Sequence, residues 1–580
     1  LIQALDEYGR AILEAPTGAG KSTRVPLALL KTGWSSRGKI LMLEPRRVAA
    51  RSVATFMASQ LGEQPGGRVG YRTRSDSRTG PDTLIEVITE GILTRMLLTD
   101  PELKGVSMVV FDEFHERSLQ ADLGLALVRE VREVFRPDLG VLVMSATLDS
   151  ESLQTWLDAP VIRSEGKRFQ VDVRYAAVPG RTDWRTHCLR EVVTVAHCTG
   201  VMLVFLPGQA DIQWLAGQLR ESGLAERVRM LHGSLPLSEQ QAVLDEARAG
   251  VQMIILATNV AETSLTVPGI VYVIDPGEAR ISRYSPRSKV QRLPVEAVSQ
   301  ASANQRKGRC GRVAPGICVR LYSEDDFNGR PEFTDPEIRR TNLASVILQM
   351  LHLRLGRIED FPFIEPPDGR AISDGFTLLQ ELGAVARSGA MTDIGRQLAR
   401  LPVDPRIGRM LLEGAAQQSL AEITVIASAL AVQDPRERPL EKQQAADQAH
   451  AQWNEEGTDF VAFLNLWNGF EAQRQALTQS QLRSWCRRNF LNYLRLREWR
   501  ETHRQIRLTC RDLGLEENRQ AASHEPVHKA LLAGLLSHLG NKTEEGDYLG
   551  ARQRRFLLHP SSGLAKKKPA WVMVAELTET

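Results

Sequence analysis

A Gly-rich stretch near the start of the sequence has the composition of a phosphate-binding loop. Residues 15–23 read APTGAGKST, directly after the apolar run AILEA and before a segment with helical spacing. In the form G-x-x-x-x-G-K-[ST], small residues let successive backbone N–H groups surround phosphate oxygens; Ala15 takes the first Gly position here. We expect Lys21 to reach the β- and γ-phosphates of a nucleotide and the Ser22 hydroxyl to ligate Mg²⁺. The nucleotide-contacting residues predicted from this loop are Pro16, Thr17, Gly18, Ala19, Gly20, Lys21, Ser22 and Thr23. A chance Gly-rich turn is the alternative, which the strand–turn–helix context disfavours.

Two adjacent carboxylates further along the chain could complete such a site. Residues 109–117 read VVFDEFHER, so that Asp112 and Glu113 follow an apolar run with the character of a strand. Ligand sites of open α/β sheets lie at the carboxyl ends of the strands. Asp112 would hold Mg²⁺ through water, and Glu113 would polarise the attacking water as general base. A solvated acidic turn after a strand is the alternative, and the phosphate-binding loop makes it the weaker one.

The elements that must position these residues alternate between apolar runs and helical patterns up to about residue 325. The runs are continuous, which is typical of strands buried on both faces of a parallel sheet. Repeated β-α-β units predict doubly wound α/β sheets, and the strands suffice for two sheets with a seam near residues 165–171. The predicted strands are KILMLEP (39–45), VSMVVFDE (106–113), LGVLVMSAT (139–147), VMLVFLPG (201–208), QMIILATN (252–259), GIVYVID (269–275) and GICVRLY (316–322).

The pattern changes after about residue 331. Helices with Leu and Ala periodicity dominate to about residue 520. Pro-containing breaks at 361–367 and 401–405 predict one small domain followed by a helical bundle. The tail over residues 548–574 returns to strand-like runs broken by Gly, Pro and Ser turns, which favours the opening of a small β-barrel.

Length and composition are those of a multidomain globular chain. The 580 residues, 42% hydrophobic and 25% charged, predict roughly three to five domains. The sequence contains no run of about 18 apolar residues and therefore predicts no membrane span. The first residues do not have the pattern of a secretory signal. Because residue 1 is Leu rather than Met, we expect the true N-terminus to be missing. The net charge is only +3, from 73 basic and 70 acidic residues, so a polyanion would have to be bound by local basic patches.

The cysteines predict neither zinc binding nor disulfides. They form no C-x-x-C pair and have no His at zinc spacing, so we expect free thiols and a location in the reducing cytoplasm. They are Cys188, Cys198, Cys310, Cys318, Cys486 and Cys510.

Eight motifs follow one another in an order that resembles the superfamily-two helicases with a D-E-A-H box. They are APTGAGKST (15–23), EPRR (44–47), TEG (89–91), DEFH (112–115), SAT (145–147), FLPG (205–208), ATNVAETSLTVPG (257–269) and QRKGRCGR (305–312). The sequence is similar in particular to bacterial DEAH/RHA-type RNA helicases, over nearly the whole chain and most strongly over residues 1–325. One departure is Phe114, which replaces the Ala of the box.

The resemblance implies an α/β fold with two tandem RecA-like P-loop domains, at residues 1–165 and 166–328. A winged helix at 329–398, a helical ratchet bundle at 399–522 and the start of an OB-like region at 523–580 would follow. Because members of the family carry a further C-terminal region, we expect the chain to stop short of the full protein.

The resemblance also assigns roles to the residues of QRKGRCGR. Arg309 and Arg312 would be arginine fingers that stabilise charge on the γ-phosphate, and Gln305 would contact that phosphate or the attacking water. The two arginines are three apart, and we expect them on one face of a helix-like turn, with Lys307 and Cys310 pointing outward. Without the resemblance, a patch that binds the anions of a nucleic acid is an equal alternative.

Half of the nucleotide site would thus lie on each α/β domain, so that ATP closes the cleft and hydrolysis reopens it. Ser145 and Thr147 could report this closure across the cleft. His115 resembles a residue that connects the phosphate site to the second domain, and we expect coupling from it rather than base catalysis. An ordinary polar turn and a structural His are the alternatives.

Contacts to RNA are predicted from residues at strand ends. Hydroxyls, backbone N–H groups and Arg side chains suit phosphates rather than bases, so we expect tracking of one strand without sequence preference. The candidates are Arg46, Arg47, Thr89, Gly91, Thr258 and Thr263. In related helicases a hairpin of the second domain separates the strands of a duplex. Residues 281–294 (ISRYSPRSKVQRLP) occupy that place, and a plain surface hairpin is the alternative.

A second departure concerns the nucleotide base. Relatives stack an Arg of the helix after EPRR on adenine, and Phe56 stands at that position here. An aromatic ring can stack on any purine, so we expect loose selectivity between nucleotides.

The sequence as a whole predicts a monomeric enzyme that binds RNA and ATP. By family likeness, RNA-stimulated NTP hydrolysis with Mg²⁺ would drive 3′-to-5′ movement on a single strand and unwinding of duplexes with a 3′ tail. The alternatives are a translocase that remodels ribonucleoproteins without processive unwinding and a relative that acts on DNA. An RNA-binding scaffold without turnover is disfavoured, because Lys21, Asp112, Glu113, Arg309 and Arg312 are all present.

Overall fold

The computed structural model describes residues 1–577 except 17–18, 74–75, 147–149, 165–168, 181, 198–199, 234, 236, 263–266, 286–289, 402 and 440–441. By their contacts these residues form two compact units. The first comprises Leu1–Arg283, Leu293–Arg340 and Pro362–Pro366, and the second comprises Tyr284–Arg292, Thr341–Phe361 and Pro367–Thr580.

The first α/β domain of the first unit is built on an eight-stranded sheet. Its elements are α1 (Ile2–Tyr8), β1 (Arg10–Glu14), α2 (Lys21–Leu29), α3 (Gly33–Arg37), β2 (Lys39–Glu44), α4 (Arg47–Gln60), β3 (Val69–Arg72), β4 (Ser77–Arg78), β5 (Ile85–Thr89), α5 (Glu90–Thr99), β6 (Val106–Phe111), α6 (Leu119–Val134), β7 (Gly140–Ser145), α7 (Ser150–Leu157) and β8 (Val161–Arg163). The strand order is β4-β3-β5-β2-β6-β7-β1-β8. Every neighbouring pair is parallel except β3 and β4.

This sheet brings the motif residues to one edge. Residues of α1 to α4, such as Leu5 and Trp34, pack with Met42, Met108 and Val110 of the sheet in one continuous core. The central strands β6 and β7 are buried along their whole length, as expected for strands of a parallel sheet whose two faces are both covered. Since β1, β2, β5, β6 and β7 are parallel, the loops that follow them gather at the carboxyl edge of the sheet, where open α/β folds bind ligands.

The second α/β domain has a six-stranded sheet, all parallel, in the order β11-β12-β10-β13-β18-β9. A short two-stranded sheet, β14–β17, accompanies it; a second short sheet, β15–β16, follows in sequence, and all of its residues except Arg283 belong to the second unit. The elements are β9 (Val171–Tyr175), α8 (Trp184–Val195), β10 (Val201–Phe205), α9 (Gln209–Glu221), β11 (Val228–Leu231), α10 (Leu237–Arg248), β12 (Met253–Ala257), β13 (Ile270–Asp275), β14 (Glu278–Arg280), β15 (Arg283–Ser285), β16 (Val290–Arg292), β17 (Val295–Ala297), α11 (Gln300–Lys307), β18 (Gly316–Arg320) and α12 (Glu324–Gly329).

The second unit is mainly helical and ends in a small sheet. Its helices are α13 (Ala344–Leu353), α14 (Gly369–Glu381), α15 (Asp393–Arg400), α16 (Pro405–Ala416), α17 (Leu420–Leu430), α18 (Gln443–His450), α19 (Asp459–Ala476), α20 (Gln479–Arg488), α21 (Tyr493–Asp512) and α22 (His524–Gly534). The antiparallel sheet, in the order β21-β20-β19-β22, consists of β19 (Leu539–Lys542), β20 (Tyr548–Gly550), β21 (Arg554–Phe556) and β22 (Trp571–Met573).

The helical bundle packs around Trp499, whose ring is fully buried with Leu466 and Phe470. Its indole N–H donates to the Ser428 hydroxyl at 2.9 Å, which satisfies the only polar atom of a buried Trp side chain. Between α14 and α15, Val385 and Met391 form an antiparallel bridge.

The predicted strands of the two α/β sheets are confirmed, each within a few residues of its expected ends. Helices from α13 to α21 and strands in the tail also follow the prediction. Among the described residues, no helix combines the length and apolarity that a membrane span requires.

Candidate functional site

The phosphate-binding loop connects β1 to α2. Gly20 has φ of +81°, a left-handed conformation that L side chains rarely adopt, and α2 begins at the next residue, Lys21. A loop followed by a helix N-terminus presents unpaired N–H groups, which suit a phosphate. Pro16, Ala19 and Thr23 lie in the described part of this loop and helix. Thr17 and Gly18, both predicted to contact the nucleotide, lie outside the described residues.

Asp112 and Glu113 follow β6 at the same sheet edge. Burial, and then the charge of Glu113, raises the pKa of Asp112 to about 6, while a hydrogen bond from the Ser22 hydroxyl opposes the shift. One Asp112 oxygen, Oδ1, accepts the Glu113 N–H at 2.8 Å. The other, Oδ2, is buried and has no hydrogen-bond partner among the described residues.

The donors at this point fit a magnesium ion. Mg²⁺ prefers hard oxygen ligands and usually takes one or two carboxylates, water and substrate phosphate. The Ser22 hydroxyl and the free Oδ2 of Asp112 are such oxygens, and both lie beside the phosphate-binding loop.

Lys21 and Glu113 form a buried ion pair. The Lys21 Nζ lies 2.9 Å from Glu113 Oε1, and the Lys21 side chain is only 3% exposed. Burial alone would raise the pKa of Glu113, but the nearby positive charges, of Lys21 above all, lower it below its ordinary value. The charge of Arg309, in the second α/β domain, contributes to that lowering.

The residues after Glu113 form a strained turn. Glu113 has φ of +48° and Arg117 has φ of +46°, and a single turn of 3₁₀-helix, Phe114–Glu116, lies between them. Non-glycine residues in this region cost roughly 1–3 kcal/mol each and persist where the surroundings impose them, often at functional sites. The carboxylate and its turn are therefore held in place by their contacts rather than by local preference.

Phe114, the departure from the usual box, is one of those contacts. Its ring is buried and meets Phe111 edge to face, with centroids 6.1 Å apart. The Arg117 guanidinium lies 5.8 Å from the centroid of the same ring.

We predict that Phe114→Ala destabilises the first α/β domain by about 3–5 kcal/mol, because the lost ring leaves a cavity under the turn. Phe114→Leu keeps most of the volume and should cost less than about 1.5 kcal/mol. Denaturant unfolding followed by tryptophan fluorescence measures both variants. Equal midpoints for wild type and the Ala variant would contradict the packing role.

His115 contacts the segment after β7. The Ala146 N–H donates to His115 Nδ1 at 3.4 Å, which leaves the proton of the neutral ring on Nε2. Burial lowers the pKa of His115 to about 4, so the ring is neutral near pH 7. Nε2 is buried and has no partner among the described residues. Ser145 is fully buried beside this contact, and Thr147 lies outside the described residues.

The arginines of QRKGRCGR are placed differently from the sequence-based expectation. Helix α11 ends at Lys307, and Gly311 has φ of +76°, so Arg309 and Arg312 lie on an irregular turn rather than on one helical face. Arg309 is 2% exposed, whereas Arg312 is half-buried and donates to the Gly308 carbonyl at 3.3 Å. The left-handed glycine breaks the helical spacing that three residues would otherwise give.

Cys310 also corrects the expectation, because it points inward. It is 2% exposed and belongs to the core under the second sheet, where burial raises the pKa of its thiol to about 11. Lys307, which we expected to point outward as well, is half-buried.

Glu262 is a residue that the sequence analysis missed. Its backbone carbonyl accepts a hydrogen bond from Arg309, and its carboxylate pairs with Arg306 at 2.9 Å. Arg306 also bonds Asp275 at 2.7 Å, so this arginine is an internal structural cation. Glu262 thereby fixes where Arg309 sits. The signal in the sequence that could have identified Glu262 is its position in the motif ATNVAETSLTVPG.

Glu44 is a second missed residue. It ends β2, is fully buried beside Asp112, Glu113 and Lys21, and its pKa is raised well above the ordinary value, first by burial and then by Asp112. Glu44 is the first residue of the EPRR motif, but only the two arginines of that motif were assigned a role from the sequence.

The predicted RNA-contacting residues lie at the carboxyl edges of the two sheets. Thr89 is the last residue of β5, Thr258 follows β12, and the space around Gly91 is open to the approach of a backbone. Thr263 lies outside the described residues. Arg46 pairs with Glu116 at 3.2 Å, and Arg47 is exposed at the start of α4.

The exposed ring of Phe56 and a cavity between the α/β domains are two further features of this region. Phe56 is 51% exposed on α4, so its ring is available for stacking. The cavity has a volume of about 440 Å³, and both domains line it, through Arg46 and His115 on one side and Asn259 and Gln305 on the other.

Five family models match successive parts of the chain. A DEAD/DEAH box helicase model matches residues 1–156, and a helicase conserved C-terminal domain matches 184–314. Two helicase-associated (HA2) models follow, winged-helix at 377–403 and ratchet-like at 404–492. An oligonucleotide/oligosaccharide-binding fold matches 527–580. The expected fold class, two RecA-like domains followed by winged-helix, ratchet and OB domains, is confirmed.

Two curated relatives align with essentially all of the chain. The chain is 46% identical over 596 residues to the ATP-dependent RNA helicase HrpA of Escherichia coli (strain K12). It is 47% identical over 591 residues to the ATP-dependent RNA helicase HrpA homologue of Haemophilus influenzae. These alignments cover 100% and 99% of the chain but 46% and 45% of the relatives, so it spans a little under half of their length.

Two solved structures resemble the whole chain. A structure titled E. coli DExH-box NTPase HrpB is 34% identical with a TM-score of 0.79, covering 98% of this chain and 64% of the other. A second, titled Escherichia coli DEAH/RHA helicase HrpB, is 34% identical with a TM-score of 0.82, covering 100% and 67%. With this likeness over its full length and with its domains in the same order, the chain belongs to the DEAH/RHA family of helicases.

Proposed function

We propose that the protein is an RNA-stimulated NTPase that moves 3′ to 5′ along single-stranded RNA and unwinds duplexes with a 3′ tail. The observation that carries the proposal is that the buried Lys21–Glu113 ion pair of the first RecA-like domain lies close enough to the buried Arg309 of the second for the Arg309 charge to lower the pKa of Glu113. The names of the HrpA relatives, which are RNA helicases, support RNA as the partner.

Nucleotide binding would redirect Lys21. In the structure its ammonium group pairs with Glu113. The γ-phosphate of a bound nucleotide would offer a competing anion beside the phosphate-binding loop. Once Lys21 bonds the phosphate, Glu113 loses its nearest cation, and its carboxylate is free to accept a proton from the attacking water. The ion pair would thus keep the base inactive until a nucleotide is bound.

Ser22 and Asp112 would hold Mg²⁺, which when bound neutralises charge on the β- and γ-phosphates. Arg309 would supply the remaining positive charge. Burial and then the adjacent charge of Arg312 lower the pKa of Arg309. A nearby anion such as the γ-phosphate would favour the charged form of Arg309, with Gln305 and Arg312 as further contacts.

His115 would couple the two domains. Its Nδ1 is occupied by the Ala146 N–H, beside Ser145, and its Nε2 proton has no partner among the described residues. His115 and Gln305 line the same cavity. Closure of the cleft would give that proton an acceptor on the second domain, so that the nucleotide state is transmitted through the turn after Glu113.

RNA would lie along the carboxyl edges of the two sheets. Thr89, Gly91, Thr258 and Arg47 offer hydroxyls, an accessible backbone and a guanidinium, and such groups contact phosphates without reading bases. The expected consequence is strand tracking that is independent of sequence. We further propose that the protein acts as a monomer in the cytoplasm. The five cysteines in the described part of the chain are free and buried, which supports a reducing location.

The test is hydrolysis of ATP by the wild-type chain with matched single-stranded RNA and DNA, together with unwinding of 3′-tailed, 5′-tailed and blunt RNA duplexes. We expect stimulation by RNA above that by DNA, and unwinding of the 3′-tailed duplex alone. Stimulation without unwinding of any duplex would favour a remodelling translocase. Hydrolysis unaffected by either nucleic acid would contradict the proposal.

Phe56 predicts loose nucleotide selectivity. A phenyl ring stacks on any base and makes no base-specific hydrogen bond, so kcat/KM should be comparable for ATP, GTP and CTP. Phe56→Ala should raise KM for all three by about tenfold, since stacking of a base on an aromatic ring is worth roughly 1–3 kcal/mol. Steady-state kinetics with each nucleotide measures both effects. Thr55→Ala, at the neighbouring exposed position of α4, is the matched control. Strict selectivity of the wild type for ATP would refute the prediction.

A further inference from the structure

A segment after the second RecA-like domain, residues 331–340, is bonded to the helix that leads to the arginine turn. We call it the bridging segment. Its carbonyls at Pro331 and Glu332 accept the N–H groups of Gln300 and Ala301 at 2.9 Å each. The Thr334 hydroxyl lies 3.0 Å from that of Ser299, which caps the N-terminus of α11. The bridging segment is therefore joined to the start of α11, the helix that carries Gln305.

The same segment reaches the turn after Glu113 in the first RecA-like domain. The Glu337 N–H donates to the Arg117 carbonyl at 2.9 Å, and the Leu119 N–H donates to Glu337 Oε2 at 2.8 Å. Arg117 is itself fixed, because its guanidinium bonds Asp122 at 2.8 Å and Glu365 at 3.0 Å. Since Arg117 ends the strained turn that begins at Glu113, a rearrangement of that turn would move the atoms that Glu337 contacts.

The bridging segment also contacts the base of the hairpin formed by β15 and β16. Arg283, the first residue of β15, bonds Asp335 at 2.9 Å, and the Arg340 guanidinium donates to the Ser282 carbonyl at 3.1 Å. Arg283 is further paired with Glu296 at 2.7 Å, so it keeps a partner when Asp335 is altered. The bridging segment thus contacts the turn after Glu113 through Glu337 and the base of the hairpin through Asp335. These two residues are two positions apart in the sequence.

We propose that the bridging segment couples the nucleotide site to the hairpin, with Asp335 and Glu337 as positioning residues. When the turn after Glu113 responds to nucleotide, Glu337 follows Arg117 and Leu119, and Asp335 transmits the shift to Arg283. Asp335 lies two residues before Glu337, which begins a single turn of 3₁₀-helix at Glu337–Arg339, so the two residues have little room for independent motion. The inference rests on the proposed function, in which this hairpin separates the strands of a duplex.

The test is hydrogen exchange of peptides spanning residues 281–294 in the full chain, with and without Mg²⁺, ADP and aluminium fluoride. In wild type we expect the nucleotide analogue to change exchange over this hairpin. Asp335→Asn and Glu337→Gln should each reduce that change to less than half, while peptides over residues 109–119 still respond. Glu332→Gln is the matched control, because it removes the same charge from the same segment at an exposed side chain.

A wild-type response that persists in full in both variants would overturn the proposal, as would an equal loss in Glu332→Gln or the absence of any response in wild type. Thermal melts verify folding, which Asp335→Asn should preserve because exposed ion pairs contribute little to stability. In the same variants, duplex unwound per ATP hydrolysed should fall severalfold while basal hydrolysis stays at the wild-type rate. A failure of the proposed function would be recognised independently of the variants, because the wild-type protein would then hydrolyse no ATP or unwind no RNA.

Discussion

Glu113→Gln should abolish ATP hydrolysis and leave nucleotide binding intact. General base catalysis contributes about 10²- to 10⁴-fold to a rate, so we expect a loss of that size in kcat. The amide cannot accept the proton of the attacking water. It also cannot hold Lys21 by charge, as the carboxylate does at 2.9 Å, so the lysine stays available for phosphate and affinity should not decrease.

Single-turnover hydrolysis and equilibrium binding of a fluorescent nucleotide measure the two quantities on the same preparation. Glu63→Gln is the matched control, because that carboxylate lies in the same domain and pairs with Arg68 on the surface. Retained hydrolysis in Glu113→Gln would show that another group activates the water. Glu44, buried beside Glu113, would then be the first residue to examine.

Arg309→Ala should lower kcat by about 10³-fold or more, the range measured when an arginine finger is absent in phosphoryl transfer. The expected effect on nucleotide affinity is small, since the finger acts on charge that develops in the transition state. Arg309→Lys should recover only part of the rate. A lysine keeps the charge but lacks the planar donors that reach both the Glu262 carbonyl and a phosphate.

The matched control for Arg309 is Arg248→Ala, an exposed arginine of α10 that pairs with Asp245 on the surface of the same domain. Arg306 is unsuitable as a control, because its buried ion pairs with Glu262 and Asp275 support the fold. A wild-type kcat in Arg309→Ala would show that Arg309 takes no part in hydrolysis. The proposal that the site is divided between the two domains would then be wrong.

The placement of most residues of the candidate nucleotide site could be predicted from the sequence because its determinants are local. The phosphate-binding loop requires small residues in consecutive positions, and the strands on either side are apolar runs whose ends are visible as motif boundaries. The parallel order of the strands then places Ser22, Asp112 and Glu113 at one sheet edge without further information. The five domain boundaries stay predictions, as do the roles assigned to individual residues.

What the sequence could not provide depends on tertiary contacts. The expected common face of Arg309 and Arg312 failed because Gly311 adopts a left-handed conformation that spacing does not reveal. Cys310 points inward because the second core needs volume there, and the pattern around it is dominated by charge. Glu262 and Glu44 lie inside recognisable motifs, but their partners are far away in sequence, so the motifs alone do not show what each carboxylate contacts.

In the proposed mechanism, one chain supplies both halves of one ATP site. The most direct measurement is the RNA-stimulated hydrolysis rate of an equimolar mixture of Glu113→Gln and Arg309→Ala chains. Because each variant lacks one half in its only site, we predict that the mixture hydrolyses ATP no faster than the two variants measured apart. Recovery of a substantial part of the wild-type rate would contradict the account, since it would mean that the base and the arginine come from different chains.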